Sequence, residues 1–331
     1  MARVAINGFG RVGRNFLRMA AARPDVQVVA VNDLTNAETL AYLLKYDSLH
    51  RRFPGAVEHT DEALLINGRK IQILAQRDPA RLPWRDLGVD VVVESTGLFT
   101  GREDAQKHLA SGAKKVIISA AAKNEDITLI LGVNQDKYRP DRHHIISSAS
   151  PTAHCVAVLA KILNEKYRIL RGAVTAIHSY TNEQKVLDLP HEDLRQGRAA
   201  ALSIIPVQSS VARSLGLVLP ELKDRIDCIA LRVPTPNVAL AELVAQIGQK
   251  TTVAELNALY LGAALPGILK FTAEKVVSVD FMSDTASCIV DASLTAALDG
   301  DLVKLSAWYD NESGYSARLV ELAAFLAEKG I

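Results

Sequence analysis

The sequence predicts an α/β fold in which a doubly wound parallel sheet is followed by an α+β domain with a mixed or antiparallel sheet. Three observations predict it. A chain of 331 residues is too long for one ordinary domain and suits two, each able to bury its own core. Its first part alternates short apolar runs (RVAIN, VQVVAV, VDVVVE, KVIIS) with stretches of helical spacing, the pattern of parallel strands covered by helices on both faces. Beyond residue 170 the texture changes to longer mixed strands, GAVTAIHS, IDCIALRV, Val238 to Val244 and Lys304 to Trp308, separated by charged loops. The expected domains are residues 1–148, rejoined by a C-terminal helix over 314–331, and residues 149–313. That last helix, SARLVELAAFLAEKG, sets Leu319, Leu322, Ala323 and Leu326 on one face and ends at a glycine. There is no internal repeat or low-complexity segment.

The first elements carry the first chemistry. Arg3 to Asn7 form an apolar strand, Gly8-Phe9-Gly10-Arg11-Val12-Gly13 form a turn, and NFLRMAAA continues with helical spacing. In such a strand–turn–helix unit Gly8 permits the tight turn, Gly10 lets the backbone approach a pyrophosphate, and Gly13 lets the helix pack closely on the strand. The helix N-terminus then offers N–H donors to the phosphates. The next strand ends at Asn32-Asp33, and Asp33 follows Gly13 by about the 20 residues at which a carboxylate meets the adenosine ribose. These features define a Rossmann-type dinucleotide site. A carboxylate there repels a 2′-phosphate, so NAD is expected over NADP. Ser95, Thr96 and Ser119 follow later strands, at the carboxyl ends where such sheets bind ligands.

Composition excludes other classes. Lys+Arg 38 against Asp+Glu 37 gives no basic excess for nucleic acid or acidic lipid. No apolar run approaches the roughly 18 residues of a membrane span, and MARVAINGFG does not resemble a secretory signal; the expected location is cytoplasmic. Cys155, Cys228 and Cys288 are too few and too widely spaced for a disulfide framework or a zinc cluster, so reduced thiols and no metal are expected.

Taken together, INGFGRVGR, VNDLT, LLKYDS, VVESTG, KKVIIS, KNEDIT, GVNQ, HSYT, RAAA, LRVPTPNV and WYDNESGYS resemble the phosphorylating glyceraldehyde-3-phosphate dehydrogenases, in order and over essentially the whole chain. That resemblance implies a homotetramer that binds NAD and either a phosphorylated small molecule or inorganic phosphate. It also implies a chemistry in which a cysteine thiolate attacks an aldehyde, hydride passes to NAD, and phosphate cleaves the thioester.

By the same resemblance, Arg11 and Val12 lie at the pyrophosphate, Asp33 at the ribose, Arg77 and Ser119 along the cofactor, Asn311 at the nicotinamide carboxamide and Tyr315 near its ring. Leu189-Pro190 match a loop of NAD-preferring members. Thr181 and Arg232 match one phosphate position; Ser150, Thr152, Ser209 and Ser210 match the other. A guanidinium fork suits a pair of phosphate oxygens. Family members carry Thr-Gly where this chain has Ser209-Ser210; if that backbone needs positive φ, serine costs roughly 1 kcal/mol. Asp is common where this chain has Glu183, and Asn where it has His154.

The catalytic cysteine of the family corresponds to Pro151. Ser150 reads as an N-cap and proline is suited to the first helical position, so the fold is expected to stand. The thioester reaction is not, since loss of a covalent nucleophile costs on the order of 10⁴- to 10⁶-fold. Cys155, one helical turn on, also occurs in family members without acting as nucleophile. His178 would activate the thiol and stabilise an oxyanion; without a thiol it remains as a general base for direct hydride removal, or idle. Two readings therefore stand: an NAD-dependent oxidoreductase on a phosphorylated aldehyde, alcohol or sugar that forms no thioester, and a catalytically silent NAD- and phosphate-binding homologue.

Overall fold

The structure, a computed structural model, describes residues 1–331. It divides into one unit of Met1–Leu129, Gln135–Ala149 and Ser316–Ile331, and a second of Ile130–Asn134 and Ser150–Tyr315. The short piece Ile130–Asn134, which the sequence reading left in the first domain, belongs to the second unit, where an added Cβ at Gly132 would meet Ile268 at 2.8 Å.

In the first unit the chain runs β1 (Ala2–Asn7), α1 (Arg11–Ala20), β2 (Val26–Asn32), α2 (Ala37–Lys45), β3 (Val57–Thr60), β4 (Ala63–Ile66), β5 (Arg69–Leu74), β6 (Val91–Glu94), α3 (Arg102–Ala110), β7 (Lys115–Ile118), β8 (Ile127–Thr128) and β9 (Ile145–Ser147). These strands form one sheet in the order β3-β4-β5-β2-β1-β6-β7-β9-β8. The order reverses at β1, which pairs in parallel with β2 on one side and β6 on the other. A ligand crevice is expected beyond the carboxyl ends of the strands at such a switch point. All residues of β6 and β7 are buried, which is why they read as unbroken apolar runs. One edge departs from the expected parallel sheet: β3, β4 and β5 pair antiparallel. The signal was local, since Asn67 and Gly68 (φ 50° and 77°) form the turn between β4 and β5, and Asn-Gly is the strongest short hairpin dipeptide.

The second unit begins with α4 (Pro151–Tyr167), then β10 (Ile169–Ser179), β11 (Ile205–Gln208), α5 (Val211–Val218), β12 (Ile226–Val233), β13 (Ala239–Ile247), α6 (Val253–Gly262), β14 (Leu269–Thr272), β15 (Cys288–Asp291), β16 (Ala296–Leu298) and β17 (Leu302–Tyr309). The sheet runs β11-β12-β10-β13-β17-β15-β14, with β16 beside β17. It is mixed: β10 is parallel to β12 and antiparallel to β13. Strict alternation of burial along β13 marks a sheet with one face in a core. The helix α7 (Ser313–Glu328) starts in the second unit and contributes Ser316 onward to the first.

Candidate functional site

In the first unit, β1 delivers the glycine turn to the switch point. Each glycine has its own reason. Gly8 sits at φ 92° and a Cβ there would meet the Thr96 nitrogen at 2.7 Å; at Gly13 it would meet the Gly8 oxygen at 2.3 Å. A Cβ on Gly10 would meet nothing within 4 Å, and its φ is negative (−73°). The fold itself therefore does not demand glycine at position 10; an open space at a helix N-terminus fits the close approach of a pyrophosphate. Gly10 is also the N-cap of α1 and supplies no side-chain cap. Asp33, after β2, accepts from the Phe9 N–H at 2.9 Å through Oδ2 and from Thr35 N–H at 3.0 Å through Oδ1, which fixes its carboxylate beside the glycine turn.

Arg11 begins α1, but its guanidinium is held by Asp47, Nη1 to Oδ2 at 2.5 Å and Nη2 to Oδ1 at 3.2 Å. Asp47 was not singled out from sequence, although it lies in LLKYDS. Burial would raise its carboxyl, but Arg11 and the N–H groups of His50 and Leu49 outweigh burial and bring its pKa down to about 2. Ser95 donates to the Gly8 carbonyl at 2.7 Å, Ser119 takes up the end of β7 through its N–H to the Glu94 carbonyl at 2.9 Å, and Arg77 is exposed in the loop after β5.

In the second unit, α4 starts as its sequence implies. Ser150 is the N-cap, its hydroxyl accepting from Ala153 N–H at 3.2 Å, and Pro151 opens the helix. Ala149, just before it, has φ 51°. Thr152 bonds the Tyr309 hydroxyl at 2.8 Å, and the Tyr309 ring packs edge-on to His178 at 6.2 Å. The helix N-terminus, β17 and β10 thus meet around one tyrosine, whose hydroxyl burial pushes far above its ordinary pKa.

Parallel register sets His178 of β10 beside Arg232 of β12. Nδ1 of His178 lies 2.7 Å from the Ser179 carbonyl and 2.5 Å from Arg232 Nη1, so Nε2 is the nitrogen left for other work. Burial, reinforced by the Arg232 charge, brings the imidazole down to about 3. The Arg232 pKa is lowered by burial, with the Glu183 charge acting the other way; its Nε is buried with no hydrogen-bond partner, and its Nη1 also donates to the Ser179 carbonyl at 3.4 Å. Thr181 N–H and hydroxyl both donate to Gln184 Oε1, at 2.9 and 3.1 Å. Behind His178, the Ser179 hydroxyl donates at 2.6 Å to the carbonyl of Val238, a β-branched residue held at φ 66°, a strained conformation of the kind that gathers at functional sites.

The remaining candidates make contacts of their own. Arg232 pairs with Ile205, whereas Ser209 lies at the other end of the β11–β12 ladder, its hydroxyl 3.3 Å from the Cys228 sulfur. Ser210 is the N-cap of α5 at φ −81°, and neither serine has a positive φ; the strain entertained for this dipeptide does not occur. Asn311, in the turn after β17, has a buried Oδ1 without a partner, an acceptor suited to a carboxamide N–H₂. Tyr315 is buried with its ring edge-on to His154 at 5.5 Å. Cys155 is fully buried and its thiol is pushed well up, first by burial and then by Cys288, the opposite of an activated nucleophile. No three His, Cys, Asp or Glu side chains converge as a metal site requires.

Residues 2–102 match the glyceraldehyde 3-phosphate dehydrogenase NAD binding domain, and residues 150–311 match the C-terminal domain of the same enzyme. The chain belongs to the glyceraldehyde-3-phosphate dehydrogenase family. It is similar to the glyceraldehyde-3-phosphate dehydrogenase of Geobacillus stearothermophilus, 56% identical with 99% of each chain covered. It is also similar to glyceraldehyde-3-phosphate dehydrogenase 1 of Bacillus subtilis (53%, 99% of each) and to the enzyme of Streptomyces coelicolor (50%, 99% of each). The first unit is accordingly the Rossmann domain of this family, its cofactor is NAD, and the second is the family's C-terminal catalytic domain. No helix is long and apolar enough to cross a membrane.

Proposed function

We propose that this family member is an NAD-dependent oxidoreductase acting on a phosphorylated small aldehyde, alcohol or sugar without forming a thioester. The observation that carries the reading is Arg232: a half-buried guanidinium whose buried Nε has no hydrogen-bond partner, directly beside His178. A buried donor without a partner is costly, and a phosphate oxygen would complete it. Thr181 and Arg232 take one phosphate; Ser150, Thr152, Ser209 and Ser210 take a second or inorganic phosphate. On the cofactor side the proposed contacts are Gly8, Gly10, Arg11, Val12, Gly13, Asp33, Arg77, Ser119, Asn311 and Tyr315. The pairing of Arg11 with Asp47 supports a backbone rather than a guanidinium contact at the pyrophosphate.

NAD, when bound, supplies the hydride acceptor. For an alcohol or hydrated aldehyde, His178 Nε2 takes the hydroxyl proton as the C–H bond gives up its hydride, and the forming carbonyl leaves the imidazole protonated. A phosphate on Arg232 offsets the charge that depresses His178 and so raises its basicity in the complex. Pro151 has no atom able to bond an acyl carbon, and Cys155 is buried and protonated. The weak basicity of free His178, about 3, is the observation behind the alternative reading, a silent NAD- and phosphate-binding homologue.

Assembly as a homotetramer is supported by exposed apolar side chains in one segment of the second unit, Val186 (86%), Leu194 (84%) and Leu202 (81%), more than a monomer ordinarily leaves in water. Three unpaired thiols fit the reducing cytoplasm. The test is NADH absorbance with NAD and a panel of phosphorylated aldehydes, alcohols and sugars. Turnover that is lost in Arg232→Ala is expected. No turnover with any member leaves the silent reading, and phosphate-dependent formation of an acyl phosphate from glyceraldehyde 3-phosphate would sink the thioester-free mechanism.

A further inference from the structure

Beneath the switch point runs a buried polar chain that the chemistry above does not use. Asn7, Asn32 and Glu94 are the last residues of β1, β2 and β6, and with His108 of α3 all four are 5% exposed or less. Trp84 donates its indole N–H to His108 Nδ1 at 2.9 Å. An indole can only donate, so Nδ1 holds the lone pair and the proton of the neutral ring is on Nε2, which faces Glu94 Oε2 at 3.2 Å. The same oxygen accepts from Asn7 Nδ2 at 2.6 Å, while Oε1 accepts from the Thr96 N–H at 2.8 Å and from the Thr96 hydroxyl. Asn7 Oδ1 in turn accepts from Asn32 Nδ2 at 2.6 Å, and Asn32 is bonded in both directions to the backbone of Gln76, at 2.8 and 2.9 Å.

Every amide orientation and the imidazole tautomer are thereby fixed, since reversing any one sets donor against donor or acceptor against acceptor. Such a network is a poor source of stability, because apolar groups of the same volume often serve as well. Its geometric consequence is specific. The residues that follow its members are Gly8, Asp33 and Ser95-Thr96, the turn and carboxylate that face the switch point.

We propose that Glu94 and His108 are positioning residues for the dinucleotide, locking the ends of β1, β2 and β6 in the one arrangement that aims the glycine turn and Asp33 at the same ligand. The inference rests on the reading of these residues as cofactor contacts. The test measures NAD and NADP dissociation constants by calorimetry, together with the melting temperature of the ligand-free protein, for wild type, Glu94→Gln, His108→Leu and His108→Gln. In Glu94→Gln an amide N–H₂ replaces an oxygen that faces only donors; in His108→Leu both ring contacts vanish. Both are expected to weaken NAD roughly tenfold or more and to narrow the preference over NADP. His108→Gln keeps one acceptor for Trp84 and a donor for Glu94, and is expected to recover most of the affinity. Should Glu94→Gln not fold, the two His108 variants decide. NAD affinity within about twofold of wild type in a folded His108→Leu or Glu94→Gln protein, or a loss that follows melting temperature alone with no recovery in His108→Gln, would overturn the inference. A wild-type protein that does not bind NAD would instead remove the reading beneath it.

Discussion

Helices α1 and α4 both begin where anionic ligand chemistry is expected, yet their first turns are built in opposite ways. Gly10 opens α1 without a side-chain cap, so the N–H groups of that turn remain for a ligand. Ser150 opens α4 by bonding the Ala153 N–H, and Pro151 removes one further donor. The protein thus leaves the positive end of one helix open and closes much of the other on itself. Pro151 offers neither an N–H donor nor a nucleophilic side chain, so a phosphate near α4 would lean on hydroxyls such as those of Ser150 and Thr152 rather than on the helix backbone.

The strongest way to break this contrast is Pro151→Cys, which introduces a donor and a thiol together. Ser150 still caps the helix, so folding is expected to change by about 1 kcal/mol or less. A thiol at the helix N-terminus and near an imidazole has a lowered pKa. Its alkylation by iodoacetamide should outpace that of buried Cys155 and Cys288, and NAD-dependent oxidation of glyceraldehyde 3-phosphate should rise on the order of 100-fold or more. A folded, NAD-binding variant whose thiol reacts no faster than free cysteine would mean that the pocket around His178 serves another purpose.

The α1 side is probed by two glycines with different physical reasons. In Gly13→Ala the methyl meets the Gly8 carbonyl oxygen at 2.3 Å, and overpacking of this kind costs about 1–3 kcal/mol, visible as a lower melting temperature. In Gly10→Ala the methyl meets nothing within 4 Å, so the free protein should melt within about 1 kcal/mol of wild type while NAD affinity falls roughly tenfold. Equal effects on melting and on NAD from both substitutions would erase the distinction between a fold glycine and a ligand glycine.

What was legible in the sequence divides along the same line. The β1–glycine–α1 unit is local, and each of its parts could be read from neighbours in the chain. So could the α4 start, where Ser150 and Pro151 announce their own positions. The His178–Arg232 contact spans 54 residues and depends on the parallel register of β10 with β12; the Thr152–Tyr309 bond spans 157 and depends on how α4 packs over β17. Periodicity does not encode such register. The antiparallel edge of the first sheet was missed for a different reason: Asn67-Gly68 was there to be read, but the alternation of strands and helices around it dominated the pattern. Asp47 shows a third case, since nothing in LLKYDS marks a carboxylate as the partner of Arg11.

Asp47 also gives the α1 side a pH signature. Its folded pKa, about 2, lies below its ordinary 3.8. The stabilisation is therefore fully present above about 4 and is lost as pH falls through about 2. Discounted for water around Arg11, which is 27% exposed, it amounts to about 1–2 kcal/mol. Asp47→Asn keeps an acceptor for the Leu49 and His50 N–H groups and loses only the charge. Denaturation curves of the two proteins should differ by that amount at pH 6 and converge near pH 2; a constant gap across the range would assign the effect to shape rather than charge.

The smallest expected effect sharpens the α4 side. Ser150→Ala deletes the hydroxyl that receives the Ala153 N–H at 3.2 Å, and loss of a serine cap typically costs about 1 kcal/mol, whereas glycine at the same position costs only a few tenths. The helix should still begin at residue 151, because the proline ring fixes its φ, so the loss belongs to the cap alone and NAD affinity should not follow it. If Ser150→Ala instead costs more than about 3 kcal/mol, beyond the range of a cap, the hydroxyl must also be holding Ala149 in its left-handed conformation at φ 51°. The turn into α4 would then be a strained element that the serine maintains, and Ser150→Gly would show nearly the same loss as Ser150→Ala.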